Sequence, residues 1–139
     1  MKKVIGAFEK VSFPEFGLFD IVAKIDTGAA SGALHATHIK ELVLPTGEKA
    51  VSFRPYGKLP RVVVASFVIK PVRSSNGDMT QRYVIPTSMT LRGVQYQIQI
   101  GLADRTAMMK GVLVGRQFLR KHGFIIDTKK GTKYRYEVK

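Results

Sequence analysis

The stretch VAKIDTGAASGALHA holds the residues with the strongest claim to chemistry, Asp26, Thr27 and Gly28. An apolar, strand-like run, DIVAKI, ends there in an acid, a hydroxyl and a residue that lets the chain turn. A carboxylate so placed can move protons to and from a water or a peptide group as a general acid or base. The competing reading is that Asp26 starts an Asx-type turn and caps its own loop. The triplet alone is too short to decide between them.

Asp104 is a second candidate acid, since GLADR also sets a carboxylate at the end of a strand-like run, QYQIQI. It is either a second acid from the same chain or an ion-pair partner of Arg105 or Arg116. The ion pair is favoured, because neighbouring arginines hold a carboxylate in its charged form. The histidines are His35, His38 and His122. In LHATHIK the first two are three apart, which suits one face of a helix but opposite faces of a strand. No acid lies near that pair and no His-Glu-x-x-His helix is present, so neither a metal site nor zinc catalysis is expected. Ser31, Ser74 and Ser75 have no positioned His and Asp partners for nucleophilic chemistry. No glycine-rich loop leads into Lys-Ser or Lys-Thr, so this chain is not expected to hold ATP, and no cofactor is called for. Met108 and Met109 are assigned to the core or to a dimer interface.

Short β-branched and aromatic runs must position these residues: VIGAFEKVSF, FGLFDIVAKI, ELVLP, AVSF, RVVVASFVI, RYVIP, VQYQIQI and FIID. Pro14, Pro45, Gly47, Pro60, Asn76, Gly77 and Gly93 separate them, an all-β pattern. In VQYQIQI the residues Val94, Tyr96, Ile98 and Ile100 alternate with glutamines, which predicts one buried and one wet face. GRQFLRKHG alone reads as a helix, with Phe118, Leu119 and His122 on one face and Gly123 as a C-terminal cap. Asn76-Gly77 in VRSSNGDMTQRYV is a strong hairpin signal. It predicts a projecting hairpin with a polar tip, shouldered by Arg73 and Arg82.

With 139 residues, 45% of them apolar, the chain fits one domain over 1–139 that buries a core, and disorder is not expected. It has no Cys, which removes disulfides and thiolate chemistry and fits a reducing compartment. The apolar run after MKK is broken by Glu9 and Lys10, and no stretch approaches transmembrane length. A soluble, cytoplasmic protein without membrane contact is expected. Twenty-three Lys and Arg stand against ten Asp and Glu, a formal charge of +13. Lys49 to Gly77 holds six bases and no acid, and Arg105 to Lys139 ten bases and two acids. Such a field draws anionic partners, whether nucleic acid, ribosome or acidic peptide. KKGTKYRYEVK interleaves bases and aromatics as nucleic-acid binders do, and a basic terminal strand explains it equally well.

The strand ending in Asp-Thr-Gly-Ala, the polar-tipped hairpin and a downstream apolar-Gly-Arg-helix element, VLVGRQFLRKHGFIID, together resemble the retropepsin-like aspartic protease fold. The order AKIDTGAASGALHA, VRSSNG, QRYVI, GLADRTAMMKGVLVGRQFL and IID resembles, over Val22 to Asp127, the family labelled ATP-dependent zinc proteases. Members of that family are often found beside ATP-grasp ligases that add glutamates to a ribosomal protein. The resemblance implies an all-β, retropepsin-like closed barrel with one short C-terminal helix, acting as an aspartic-type peptidase. Two carboxylates a hydrogen bond apart share one proton, so one acts as base towards a water while the other polarises the peptide carbonyl. Asp26 supplies the acid, Gly28 and Ala29 let two loops approach, and Thr27 braces them. One chain carries one triplet, so a two-fold homodimer is expected to bring Asp26 to its own copy. Ala29, His35, Arg73, Ser74, Ser75, Asn76, Gly77 and Arg82 are expected to meet the substrate, the hairpin acting as a flap. The substrate expected is an acidic peptide or a glutamate-extended tail, with a ribosomal protein and an ATP-grasp ligase as implied partners. The rival reading is a non-catalytic basic β-barrel module that binds RNA or the ribosome.

Overall fold

Residues with a two-residue repeat of apolar and polar side chains form strands that each turn one face inwards, and the computed structural model shows how they join. It describes residues 3–73 and 76–137. In chain order the strands are β1 (Lys3–Gly6), β2 (Phe8–Phe13), β3 (Leu18–Asp26), β4 (Ala33–Val43), β5 (Lys49–Pro55), β6 (Val62–Val64), β7 (Val68–Arg73), β8 (Met79–Leu91), β9 (Val94–Ala103) and β10 (Val112–Gly115). A short helix, α1 (Arg116–Lys121), and β11 (Phe124–Asp127) follow.

The main sheet runs β10-β3-β2-β8-β9-β4-β5-β6. β10 pairs in parallel with β3 and also antiparallel with β4. The path β3-β2-β8-β9-β4-β10 therefore returns to its start, which closes a barrel and leaves no free edge within that ring. Its core holds Phe13, Leu34, Phe53, Ile85, Met89 and Ile100, each almost fully buried. β1 and β11 make a separate parallel pair. α1 packs through Phe118, whose ring meets Tyr96 edge-on at 5.2 Å and Phe124 at 5.6 Å. Gly123, at φ +69°, ends the helix as expected. Among the described residues no helix is long and apolar enough to cross a membrane.

One local expectation changes, and two open ones are decided. In β9, Tyr96 and Ile100 are buried, but Val94 is exposed because it sits beside the Arg92-Gly93 turn, beyond the core. LHATHIK lies within a strand: His35 is buried, His38 is exposed at φ +54°, and the register shifts between Thr37 and Lys40. Past β11 the chain forms no further strand among the described residues; it turns and makes a 3-10 turn over Thr132–Tyr134. Lys110 explains that docking. Its buried ammonium donates to the Tyr134 carbonyl at 2.6 Å and to the Glu137 carbonyl, so the basic tail is held by its own main chain.

Glu9 ties both ends of this frame. Its carboxylate accepts the Gly6 N–H at 2.7 Å and a bidentate pair from Arg92, Nε at 3.0 Å and Nη2 at 2.9 Å. Burial opposes the charge, but Arg92 and the Gly6 N–H outweigh it and hold the carboxyl below its ordinary value. A carboxyl depressed in the fold contributes stability that is full above the unfolded pKa and lost as pH falls through the folded one. Glu9→Gln is expected to cost about 1–2 kcal/mol at neutral pH, a modest figure because Arg92 is half exposed. Denaturation measured from neutral to acid pH should show that this difference shrinks as pH falls.

Candidate active site

Asp26 is the last residue of β3, and β10 runs beside it with Gly115 in register opposite. The loop after Asp26 crosses the junction of β10 and α1. The Arg116 N–H donates to the Ala29 carbonyl at 2.8 Å and the Gln117 N–H to the Ala30 carbonyl at 3.1 Å. Arg116 Nη1 also donates to the Gly28 carbonyl at 3.1 Å. The crossing is too close for side chains: a Cβ on Gly115 would lie 2.6 Å from the Ser31 carbonyl carbon, and one on Gly32 2.8 Å from the Leu113 oxygen. The downstream apolar-Gly-Arg element is thus the bracket that holds the Asp-Thr-Gly loop.

The Asp26 Oδ1 accepts the Gly28 N–H at 3.0 Å, which is the Asx-type contact of the competing reading. Its Oδ2 lies 4.0 Å from Lys24 Nζ, and the side chain is 27% exposed. The turn contact leaves the carboxyl at a cavity, because one oxygen shapes the loop while the side chain still lines that space. That cavity, about 670 Å³, is also lined by Lys24, Arg105, Met108, Met109 and Leu113. Thr27 is exposed, and its hydroxyl makes no hydrogen bond among the described residues.

Arg105 stands over the cavity in a fixed pose. Its N–H donates to His35 Nδ1 at 2.9 Å and its Nε to the Lys110 carbonyl at 2.9 Å. Burial, then the charge of Arg82, lowers its pKa, while Tyr56 and Asp26 oppose the shift. His35 is a buried strut for this loop: its ring packs edge-on against Tyr56 at 5.7 Å and its N–H donates to the Gly111 carbonyl. Burial pushes the Tyr56 hydroxyl up to about 12. The Asp104 Oδ1 accepts both the N–H and the hydroxyl of Thr106, at 3.0 and 2.5 Å, and lies 4.0 Å from His35 Nδ1. The guanidinium groups expected to pair with it, of Arg105 and Arg116, bond main-chain carbonyls instead.

The hairpin forms as expected from β7 and β8, with Arg73 opposite Met79 and Arg73 Nη1 donating to the Gly77 carbonyl at 3.3 Å. Ser74 and Ser75 lie outside the described residues. Arg73, Asn76 and Gly77 do not line the Asp26 cavity. Arg82, expected at a shoulder, is half-buried and lies across Gly101. Met108 and Met109 are not core residues; they are half exposed at the cavity. Sequence reasoning missed Lys24, although its place two residues before Asp26 on one strand marks it for the same face. It also missed Lys110, whose burial no local pattern announces.

The histidines do not fit a zinc centre. His35 Nδ1 is occupied by the Arg105 N–H, His38 Nδ1 shares a hydrogen with the Thr37 hydroxyl at 2.9 Å, and His122 packs among Tyr96 and Phe118. Among the described residues no three His, Cys, Asp or Glu side chains converge as a metal would need.

A family model described as retropepsin-like aspartic endopeptidase RimB matches residues 4–134. A probable alpha-L-glutamate ligase of Desulfotalea psychrophila is 34% identical over 135 residues, covering 91% of this chain and 28% of that protein. One from Shewanella halifaxensis is 33% identical over 122 residues, covering 84% of this chain and 26% of its own length. The chain thus spans little more than a quarter of these relatives. A Legionella pneumophila protein of unknown function (DUF785), known from its crystal structure, shares the fold. Its TM-score is 0.73 at 24% identity, with 93% of this chain and 95% of that one covered.

The crossing yields a direct test. Gly115→Ala must push a methyl into the Ser31 carbonyl, and is expected to cost about 1–3 kcal/mol, in the range of overpacked cores. Chemical denaturation measures it; a variant as stable as the parent would mean the loop is not pinned there.

Proposed function

The chain belongs to the RimB-like family of retropepsin-like aspartic endopeptidases, and from that premise we propose that it hydrolyses peptide bonds with Asp26 as its acid-base residue. The observation that carries this reading is the pinned strand end. Asp26 lines a cavity while its loop is fixed by main-chain bonds from Arg116 and Gln117. A second copy supplies the other carboxylate, because one chain brings one Asp-Thr-Gly and the dyad needs two. Thr27, exposed and without a hydrogen bond among the described residues, then braces the opposite loop. The pair shares a proton: the charged oxygen takes a proton from water as it attacks the carbonyl carbon, and the protonated one hydrogen-bonds the carbonyl oxygen. The proton then passes to the leaving nitrogen as the C–N bond breaks.

The substrate in this reading is an acidic peptide, including a glutamate-extended tail. Support comes from the formal charge of +13, from Lys24 and Arg105 at the cavity, and from relatives named for glutamate ligation that contain a related segment. Hydrolysis would reverse what such a ligase adds. A second reading, an RNA-binding surface, rests on Tyr134, whose ring has Lys10 Nζ at 5.3 Å and Lys133 Nζ at 5.1 Å above a groove shared with Arg92 and Lys130.

Asp26→Asn is expected to lower hydrolysis of a glutamate-rich peptide by about 10²–10⁴-fold with unchanged circular dichroism. Chelators should leave activity intact. A fully active Asp26→Asn protein, or one silenced by chelation alone, overturns the reading. Sedimentation should find dimers at assay concentration, and a strictly monomeric active protein would remove the symmetric dyad. For the RNA reading, affinity should fall steeply with salt and drop on charge reversal at Lys130 and Lys133.

A further inference from the structure

We propose that Arg82 and Arg105 form a carboxylate-binding subsite beside Asp26, which takes the side-chain or C-terminal carboxylate of the peptide; the inference rests on the peptidase reading above. Four arginines of the described chain are half-buried: Arg54, Arg82, Arg105 and Arg116. Arg54 donates to the Leu59 and Lys58 carbonyls, Arg105 to Lys110 and Arg116 to Gly28. Arg82 has no acceptor among the described residues. A guanidinium drawn halfway out of water without a partner loses hydration and gains nothing in return within the chain.

Its position is built rather than incidental. Arg82 leaves β8 diagonally over Gly101 of β9, and its Cδ lies 2.5 Å from where a Gly101 Cβ would stand. Only a glycine there lets the stem lie flat on the sheet. The Gly101 N–H in turn donates to the Gly32 carbonyl at 3.2 Å, at the end of the Asp26 loop. Arg105 lines the Asp26 cavity and is close enough to Arg82 for that charge to act on it. It commits Nε to Lys110, its terminal nitrogens make no hydrogen bond among the described residues, and it lies within electrostatic range of both Arg82 and Asp26. Burial lowers the pKa of each guanidinium, and for Arg105 the neighbouring Arg82 adds to it while Tyr56 and Asp26 oppose it only in part. An incoming carboxylate satisfies both forks at once, by the bidentate geometry arginine favours.

The test separates binding from turnover. Full-length Asp26→Asn protein is titrated, by fluorescence anisotropy, with fluorescein-labelled oligoglutamate and oligoglutamine, each with a free or an amidated C-terminus. Adding Arg82→Gln is expected to raise Kd roughly tenfold to a hundredfold for ligands that carry the recognised carboxylate. Arg82→Lys should lie between, since it keeps charge but loses the fork. Arg120→Gln, an exposed charge on α1, should change Kd by less than about twofold. A loss that follows glutamine for glutamate assigns the side chain; one that follows amidation assigns the C-terminus. The melting temperature of the unliganded Arg82→Gln protein should hold or rise, because no partner is lost.

Equal weakening by Arg82→Gln and Arg120→Gln, a fall in melting temperature that parallels the loss of binding, or no binding by the Asp26→Asn protein would each overturn the subsite. If the wild type cleaves peptide while Arg82→Gln binds normally, the subsite fails and the peptidase stands. If Arg82→Gln abolishes binding in a chain that cleaves nothing, the subsite stands and the peptidase reading fails.

Discussion

The crossing of the Asp26 loop under the first turn of α1 is the constraint on which the rest of the molecule depends. A helix begins with N–H groups that have no partner within it, and they must be satisfied from outside. Here the cap residue is Gly115, which has no side chain to offer. The carbonyls of Ala29 and Ala30 take that place, accepting from Arg116 and Gln117. The same bonds that complete α1 therefore fix the loop that follows the carboxylate. They require the two segments to touch as bare backbone, which is why Gly32 and Gly115 stand where they do. Because β10 also pairs with β3 and β4, this short segment closes the barrel and holds the site at once.

Much of the fold was legible because its signals are local. Alternation found the strands, Asn76-Gly77 the hairpin, and Gly123 the end of the one helix. What escaped was long-range. Nothing in VLVG announces two partners on two sides, since its four residues carry no pattern beyond burial. Val94 follows the alternation perfectly yet lies outside the core, because alternation marks a face and not where the core ends. LHATHIK hid a strand because a register shift at Thr37 to Lys40 interrupts its period.

The candidate site was legible in its acid and not in the cations around it. Asp26 stands out because a charge ends an apolar run. Arg82 looks like a hairpin shoulder until Gly101, nineteen positions on, is seen to free the space it occupies. The tail misled for a related reason. Its bases and aromatics read as a binding strip or a strand, but Lys110, remote in sequence, reaches across to the Tyr134 and Glu137 carbonyls and folds it down.

Charge then connects the reading of one chain to that of two. Copies carrying +13 each repel, so self-association must draw on apolar contact and on local complementarity. The half-exposed Met108 and Met109 lie beside Asp26, where a two-fold mate of that residue would bring apolar surface together. Lys24 and Arg105 sit at the same place, and their positive charge lowers the cost of bringing a second carboxylate close. On the proposed function, an acidic peptide would neutralise the cavity cations that would otherwise oppose one another across such a pair. On that reading the excess of base is a counterpart to the substrate, whose carboxylates would supply the negative charge lacking in a chain with ten acids against twenty-three bases.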